Sequence, residues 1–336
     1  MTVLVGAGGY VPLYRIERNE IARQYGGGAS GETAVPARDE TVLTMATEAA
    51  GRALSRADID GPSLNAVFSA SVTDPYAEHG IAAHVAYRFG AEGDLRTGDF
   101  RGSSRAATDA FAAGRHFVGS TGGTALVVAT DVLPVEPGHD DEPYSGAGAG
   151  AVVLSGDSSG GSRSFATVHG IGTHTSGFVE RHRQHGLAAN SGDRRFEGQK
   201  GFGGSVPAAV QYALEVAEAP PASAVVAAPD QRMVRGAIAE LPGEVEHVST
   251  FDSVGYAATA SFFLDLVHLL ESGDAGTSAV AVNYGAGGAD AVALTVGNGG
   301  ESGVTVADQL DAKEYVTYGE HLRFRERPTY QGVSVE

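Results

Sequence analysis

Gly146-Ala-Gly-Ala-Gly-Ala-Val-Val-Leu154 and Gly285-Ala-Gly-Gly-Ala-Asp-Ala-Val-Ala-Leu294 are two versions of one pattern. Each is a Gly/Ala-rich turn running into a Val/Ala strand. Each follows an apolar run, at 125–130 in the first copy and 278–283 in the second. Glycine makes up 48 of 336 residues, so a Gly/Ala match alone is a weak signal. The order of the surrounding elements is a stronger one. An apolar strand at 64–69 answers to one at 222–227, and a helical pattern at 104–117 answers to one at 257–270. Repetition of ordered elements predicts an internally duplicated fold.

Working outward, strands and helices alternate along the whole chain. Residues 40–55 place Val42, Leu43, Met45, Ala46, Ala49, Ala50 and Leu54 at helical spacing, which predicts an amphipathic helix. Residues 2–5 and 149–154 read as strands, and 81–89 as a helix closed by Gly90. This alternation predicts an α/β fold with a largely parallel sheet. The expected division is an N-terminal half at 1–160, a connecting region at 161–205 rich in Gly, Ser, His and Arg, and a C-terminal half at 206–336.

Charge and composition narrow the function classes. There are 23 Lys+Arg against 41 Asp+Glu, a formal charge of −18. So few cations argue against a nucleic-acid-binding face. Only Lys200 and Lys313 are lysines, leaving 23 − 2 = 21 arginines. An acidic, lysine-poor surface suits a high-salt cytoplasm, and GC-rich codon usage gives the same bias. Hydrophobic residues reach 42%, enough for a packed core. Gly6, Gly8 and Gly9 interrupt the opening apolar run, and no stretch of about 18 apolar residues occurs. A cytoplasmic protein without a membrane span is expected. The chain has no cysteine, which excludes disulfides, thiolate metal sites and a cysteine nucleophile.

Candidate chemistry is sparse. Val5-Gly-Ala-Gly-Gly-Tyr10 follows a strand but leads into Val11-Pro12 rather than a helix, so it fails as a dinucleotide loop. His169, His174, His182 and His185, with Glu180 and Asp193, match no common metal-ligand spacing and are expected to be loop and surface residues. Asp99-Phe-Arg-Gly-Ser-Ser-Arg-Ala-Ala-Thr108 runs from an extended segment into a helix, with Ser103 and Ser104 at its head. A side chain there stands beside free N–H groups and the positive helix end, a place suited to an oxyanion. Serine is also a preferred N-cap, and the residues alone favour that role.

The chain resembles the thiolase-fold condensing enzymes, and most nearly the archaeal type of hydroxymethylglutaryl-CoA synthase. The stretches that carry the resemblance run in order from Val5-Gly-Ala-Gly-Gly-Tyr-Val-Pro-Leu-Tyr-Arg-Ile16 to Asn283-Tyr-Gly-Ala-Gly-Gly-Ala-Asp290. Between them lie Val35-Pro to Asp39-Glu40, Asp74-Pro-Tyr-Ala77, Val128-Ala-Thr-Asp131 and Gly146 to Leu154. It implies two βαβαβαββ halves in a five-layer α-β-α-β-α arrangement, acyl-CoA as substrate with no cofactor or metal, and a homodimer. A thiolase or an OB-fold/zinc-ribbon protein is the implied partner, with the tail from Glu314 to Arg327 as its docking segment. The family's acyl-accepting cysteine falls on Ser104, its glutamate on Val72 and its histidine on Ala227. The usual asparagine is replaced within Phe251-Asp-Ser-Val-Gly255. The backbone amides of Ser104 and Ala286 would form the oxyanion hole, with Gly255 on the substrate side. With those three side chains gone, the resemblance implies a catalytically degenerate homologue or a subunit of a condensing complex. The alternative is an acyltransferase that uses Ser104 as the acyl acceptor.

Overall fold

The computed structural model describes residues 2–325 apart from 75, 77, 134, 157–163, 185–188, 218 and 300–302. Ten strands form one continuous sheet. The first half contributes β1 (Thr2–Tyr10), β2 (Ala66–Ala70), β3 (Arg96–Phe100), β4 (Thr124–Val132) and β5 (Ala147–Ser155). The second contributes β6 (Ala166–Thr175), β7 (Ser223–Ala227), β8 (Glu246–His247), β9 (Ser278–Gly285) and β10 (Gly288–Val296). Their spatial order, β8-β7-β9-β10-β6-β1-β5-β4-β2-β3, reads the same outward from the β6–β1 junction in both directions. The main helices are α1 (Val42–Ala57), α2 (Ile81–Arg88) and α3 (Ala106–Thr121), then α4 (Gly203–Leu214), α5 (Gln231–Ala239) and α6 (Thr259–Ser272). In chain order each half is βαβαβαββ, the duplicated thiolase-like layout.

Two expectations are corrected. The sheet is mixed, because each half ends in an antiparallel pair and β1 and β6 join antiparallel. Only its outer strands, β4-β2-β3 and β9-β7-β8, run parallel. The region read as connecting, 161–205, holds β6, a ten-residue strand in the middle of the sheet. Its apolar signal is broken by Gly170 and Gly172, which are needed for helix packing. A Cβ on Gly172 would lie 2.1 Å from the Ala209 carbonyl oxygen of α4. On β1, Gly6 stands in the same relation to Ala53 of α1, at 2.3 Å.

The layers follow from burial. Helices α1 and α2 cover one outer face through Met45, Ala46, Ala49, Ala50, Ile81 and Val85. Helices α4 and α5 cover the other through Val206, Ala209, Val210 and Val234. Helices α3 and α6 form the central layer, with Phe111, Phe262, Phe263, Leu266 and Val267 fully buried. Helix α6 is apolar around most of its circumference, as a helix enclosed on all sides must be. Each large side chain buried there contributes roughly 1.5–3 kcal/mol.

Among the described residues, no helix is long and apolar enough to cross a membrane. The tail read as a docking segment is engaged within the chain. Glu314–Tyr315 pairs with Tyr14–Glu17, Lys313 bridges Glu32 at 2.9 Å, and Arg325 donates to the buried Glu142 at 2.9 Å. Glu326 and Arg327 lie outside the described residues.

One buried acid in the central layer gives a pH test. Asp265 on α6 accepts from Thr250 N and Oγ1, both at 2.7 Å, and burial pushes its pKa up to about 7. A pKa raised in the fold favours the protonated form. Its stabilising contribution is complete below the ordinary carboxylate range and is lost as pH rises toward 7. Asp265→Asn keeps the acceptor and removes the titration. Denaturation midpoints of variant and wild type, taken between pH 4 and 8 at constant salt, are expected to shift in the variant's favour by a few kcal/mol as pH rises.

Candidate active site

Between β3 and α3 the chain turns through Arg101–Arg105, and this turn carries Ser104. The expected N-cap role is not what Ser104 performs. Ser103 Oγ accepts from Arg105 N at 3.2 Å. The Ser104 hydroxyl, buried with the residue 6% exposed, donates to the Tyr284 carbonyl at 2.9 Å across the junction of the halves. The last glycine-rich turn grips this region from several sides. Asn283 Nδ2 donates to the Ser104 carbonyl at 2.9 Å. Asp290 takes both Arg105 Nε and Nη2 at 3.0 Å and Thr108 Oγ1 at 2.6 Å. Gly285 has no alternative at its position, since a Cβ would stand 2.0 Å from Ser104 Oγ.

The other positions singled out by the resemblance have partners of their own. Val72 packs in an apolar cluster with Leu133, Val135, Phe251, Tyr256 and Ala258. Its amide donates to Asp131 at 2.9 Å and its carbonyl accepts from Arg183 at 3.1 Å. Ala227 ends β7, paired in register with Asn283 and 2% exposed. Gly255 adopts φ +84°, and a Cβ there would meet Thr33 Oγ1 at 2.3 Å, so it serves the turn that presents Tyr256. Asp74 is taken by Arg101 at 2.6 Å, and the His79 and His84 rings lie tilted to each other with centres 4.1 Å apart.

Sequence reasoning missed two buried acids of the second half, or read them otherwise. Glu180, considered only beside the histidines, and Glu197, not singled out, both come from 161–205. Both are buried, and Glu180 Oε2 and Glu197 Oε1 have no hydrogen-bond partner among the described residues. Burial raises the Glu180 pKa against the lowering pull of nearby backbone amides, that of Ala286 included. The Ala286 amide expected to serve an oxyanion hole thus lies beside a carboxyl group. Burial, helped by the charges of Glu180 and Asp230, pushes Glu197 up to about 7. The Tyr256 phenol is raised by burial, with the Ser104 side chain and the charges of Glu180 and Arg181 among its neighbours. Only the mixed character of Gly177-Phe-Val-Glu-Arg181 hinted at a turn carrying a buried acid. Among the described residues no His/Asp/Glu group is arranged to hold a metal ion, and His185 lies outside them. Two cavities of about 400 and 470 Å³ lie on the outer faces, against α1 and between α4 and α5.

The duplicated halves define a thiolase-like fold. Solved structures agree. An HMG-CoA synthase complexed with CoA superposes with TM-score 0.80 at 16% identity, covering 96% of this chain and 89% of that one. A 3-oxoacyl-[acyl-carrier-protein] synthase III from Aquifex aeolicus gives 0.78 at 18%, covering 88% and 100%. No family model matches the chain. Hydroxymethylglutaryl-CoA synthase of Thermococcus gammatolerans is 36% identical over 185 residues, 54% of this chain and 53% of that protein. That of Methanopyrus kandleri is 29% identical over 301 residues, 84% of each. The chain is therefore similar in sequence to archaeal hydroxymethylglutaryl-CoA synthases. It spans about half the length of the first relatives it matches.

The grip on α3 is testable. Asp290→Ala leaves the largely buried Arg105 guanidinium without its carboxylate, so a loss of about 3 kcal/mol is expected from denaturant titration in molar KCl. Asp290→Asn is expected to cost less.

Proposed function

We propose that this chain binds an acyl-CoA or related acyl thioester at Ser104 and has lost the family's cysteine-based condensation. The observation that carries the reading is the junction itself. A buried serine hydroxyl stands at the head of α3, and the residues the resemblance assigns to the glutamate and histidine positions, Val72 and Ala227, are apolar. The amides of Ser104 and Ala286 would receive the thioester carbonyl, with Gly255 shaping the turn beside it. A thiolate, a carboxylate base and an imidazole each contribute roughly 10²–10⁴-fold to such chemistry, so their joint absence removes turnover.

In this reading the protein is a homodimer in a salt-rich cytoplasm. It acts as a degenerate homologue or as the subunit of a condensing complex with a thiolase or OB-fold/zinc-ribbon partner. The engagement of the Glu314 tail within the chain moves the partner's footing elsewhere. A second reading, acyl transfer to Ser104, is favoured by one observation: that serine hydroxyl is buried at the head of α3, where the resemblance places the family's acyl acceptor.

The test is a pair of assays in multimolar KCl. Calorimetry is expected to show acetyl-CoA binding, while acetyl-CoA with acetoacetyl-CoA yields no hydroxymethylglutaryl-CoA above the rate without protein. Condensation by the wild-type chain would overturn the reading. Combining Ser104→Cys, Val72→Glu and Ala227→His is expected to accelerate acetyl capture on the order of 10²-fold or more.

A further inference from the structure

We propose that the cavity against α1 lined by Arg52, Arg56 and Arg88 is a second ligand site, which takes the phosphate groups of a small phosphorylated compound. The cavity measures about 400 Å³, within the range of small-molecule sites. It lies on the outer face of the first half. Helix α1 packs on one side of the sheet and α3, headed by Ser104, on the other. The site therefore stands apart from the thioester reading.

The three guanidinium groups differ in what already holds them. Arg56 is paired with Glu271 in the last turn of α6, both side chains 3% exposed. It also donates to the carbonyls of Ala7 at 2.9 Å and Val304 at 3.0 Å, so it forms a fixed wall. Arg52 is held by neutral oxygens. Its Nη1 donates to the Gly9 carbonyl and to Gln309 Oε1, and its guanidinium lies 5.2 Å from the centre of the Tyr10 ring. Among the described residues Arg52 makes no ion pair, and its Nε and Nη2 have no hydrogen-bond partner. Arg88, at the end of α2, is exposed and has neither an ion pair nor a hydrogen bond among the described residues.

A guanidinium whose orientation is fixed through one nitrogen, with two donors still open, suits bidentate recognition of a phosphate. Arg56 and Arg88 stand in the last turns of their helices, where a cation also complements the helix dipole. Arg52, a turn earlier, has no such explanation. Only one acid, the exposed Glu48, lines the cavity among the described residues. Three cations against one acid reverse the sign of a chain whose formal charge is −18. The lining also includes Gly51, in the middle of α1. A Cβ there would meet nothing nearer than the Phe89 ring at 3.4 Å, so packing does not demand glycine. Glycine weakens a helix relative to alanine, and here it leaves the space open.

The test uses the full chain in KCl at constant molar ionic strength, with pyrophosphate and ADP as probes. Calorimetry is expected to show saturable binding of one phosphate compound per chain. Tighter binding of ADP would point to a nucleotide, and tighter binding of pyrophosphate to a simple phosphate; either supports the site. Arg88→Ala, at an exposed position, should weaken binding on the order of 10-fold without moving the denaturation midpoint. Arg52→Lys keeps the charge but loses the fork, and should weaken it similarly. Gly51→Leu removes no charge and should block binding by filling the space. Absence of saturable binding of either probe to the wild-type chain overturns the proposal, as does unaltered affinity in both arginine variants. Loss of acetyl-CoA binding in Arg88→Ala would make the cavity part of the thioester site, and would overturn the claim of a second one.

Discussion

Each helix of the central layer has its N-terminus held by an acid from the other half. Asp290, from the second half, holds α3 through Arg105 and Thr108. Asp131, from the first, holds α6 through Thr259 N at 2.9 Å and its hydroxyl. A negative charge at a helix N-terminus meets unpaired N–H groups and a favourable dipole. The reciprocal grip fixes how the halves meet, and with it the surroundings of Ser104. It also sustains the backbone of Ala258, at φ +46° just before α6, a conformation that costs an alanine about 1–2 kcal/mol.

What the junction can do follows from which side chains enter it. From the first half come Ser104 and the apolar Val72. From the second come the Asn283–Gly285 turn and Tyr256, with Glu180 at the Ala286 amide and Glu197 farther off beside the Tyr284 phenol. The apolar residues at 72 and 227 pack well and move no proton. Glu180 lies on the loop after β6, and Glu197 opens the π-helical turn Glu197–Phe202.

Much of the fold was legible because the duplication is written in the order of elements, and the Gly/Ala pattern at 146–154 and 285–294 marks the same hairpin in both halves. What misled was glycine in strands. Gly170 and Gly172 break the apolar signal of β6 because α4 lies against the backbone there, so a central strand read as a connection. The site was half legible. Ser104 stood out from its position before a helix, but its hydrogen bond to Tyr284 spans 180 residues and leaves no local trace. Glu180 and Glu197 looked like ordinary acids of a chain with 41 of them, and only tertiary burial sets them apart.

The central claim is that a thioester sits where the halves meet at Ser104. A crystal structure of the full chain grown with acetyl-CoA addresses it directly. The acyl carbon is expected within about 3.5 Å of Ser104 Oγ, or already bonded to it. A ligand seated instead in the outer cavity lined by Arg52, Arg56 and Arg88, with the Ser104 hydroxyl still on the Tyr284 carbonyl, would contradict it.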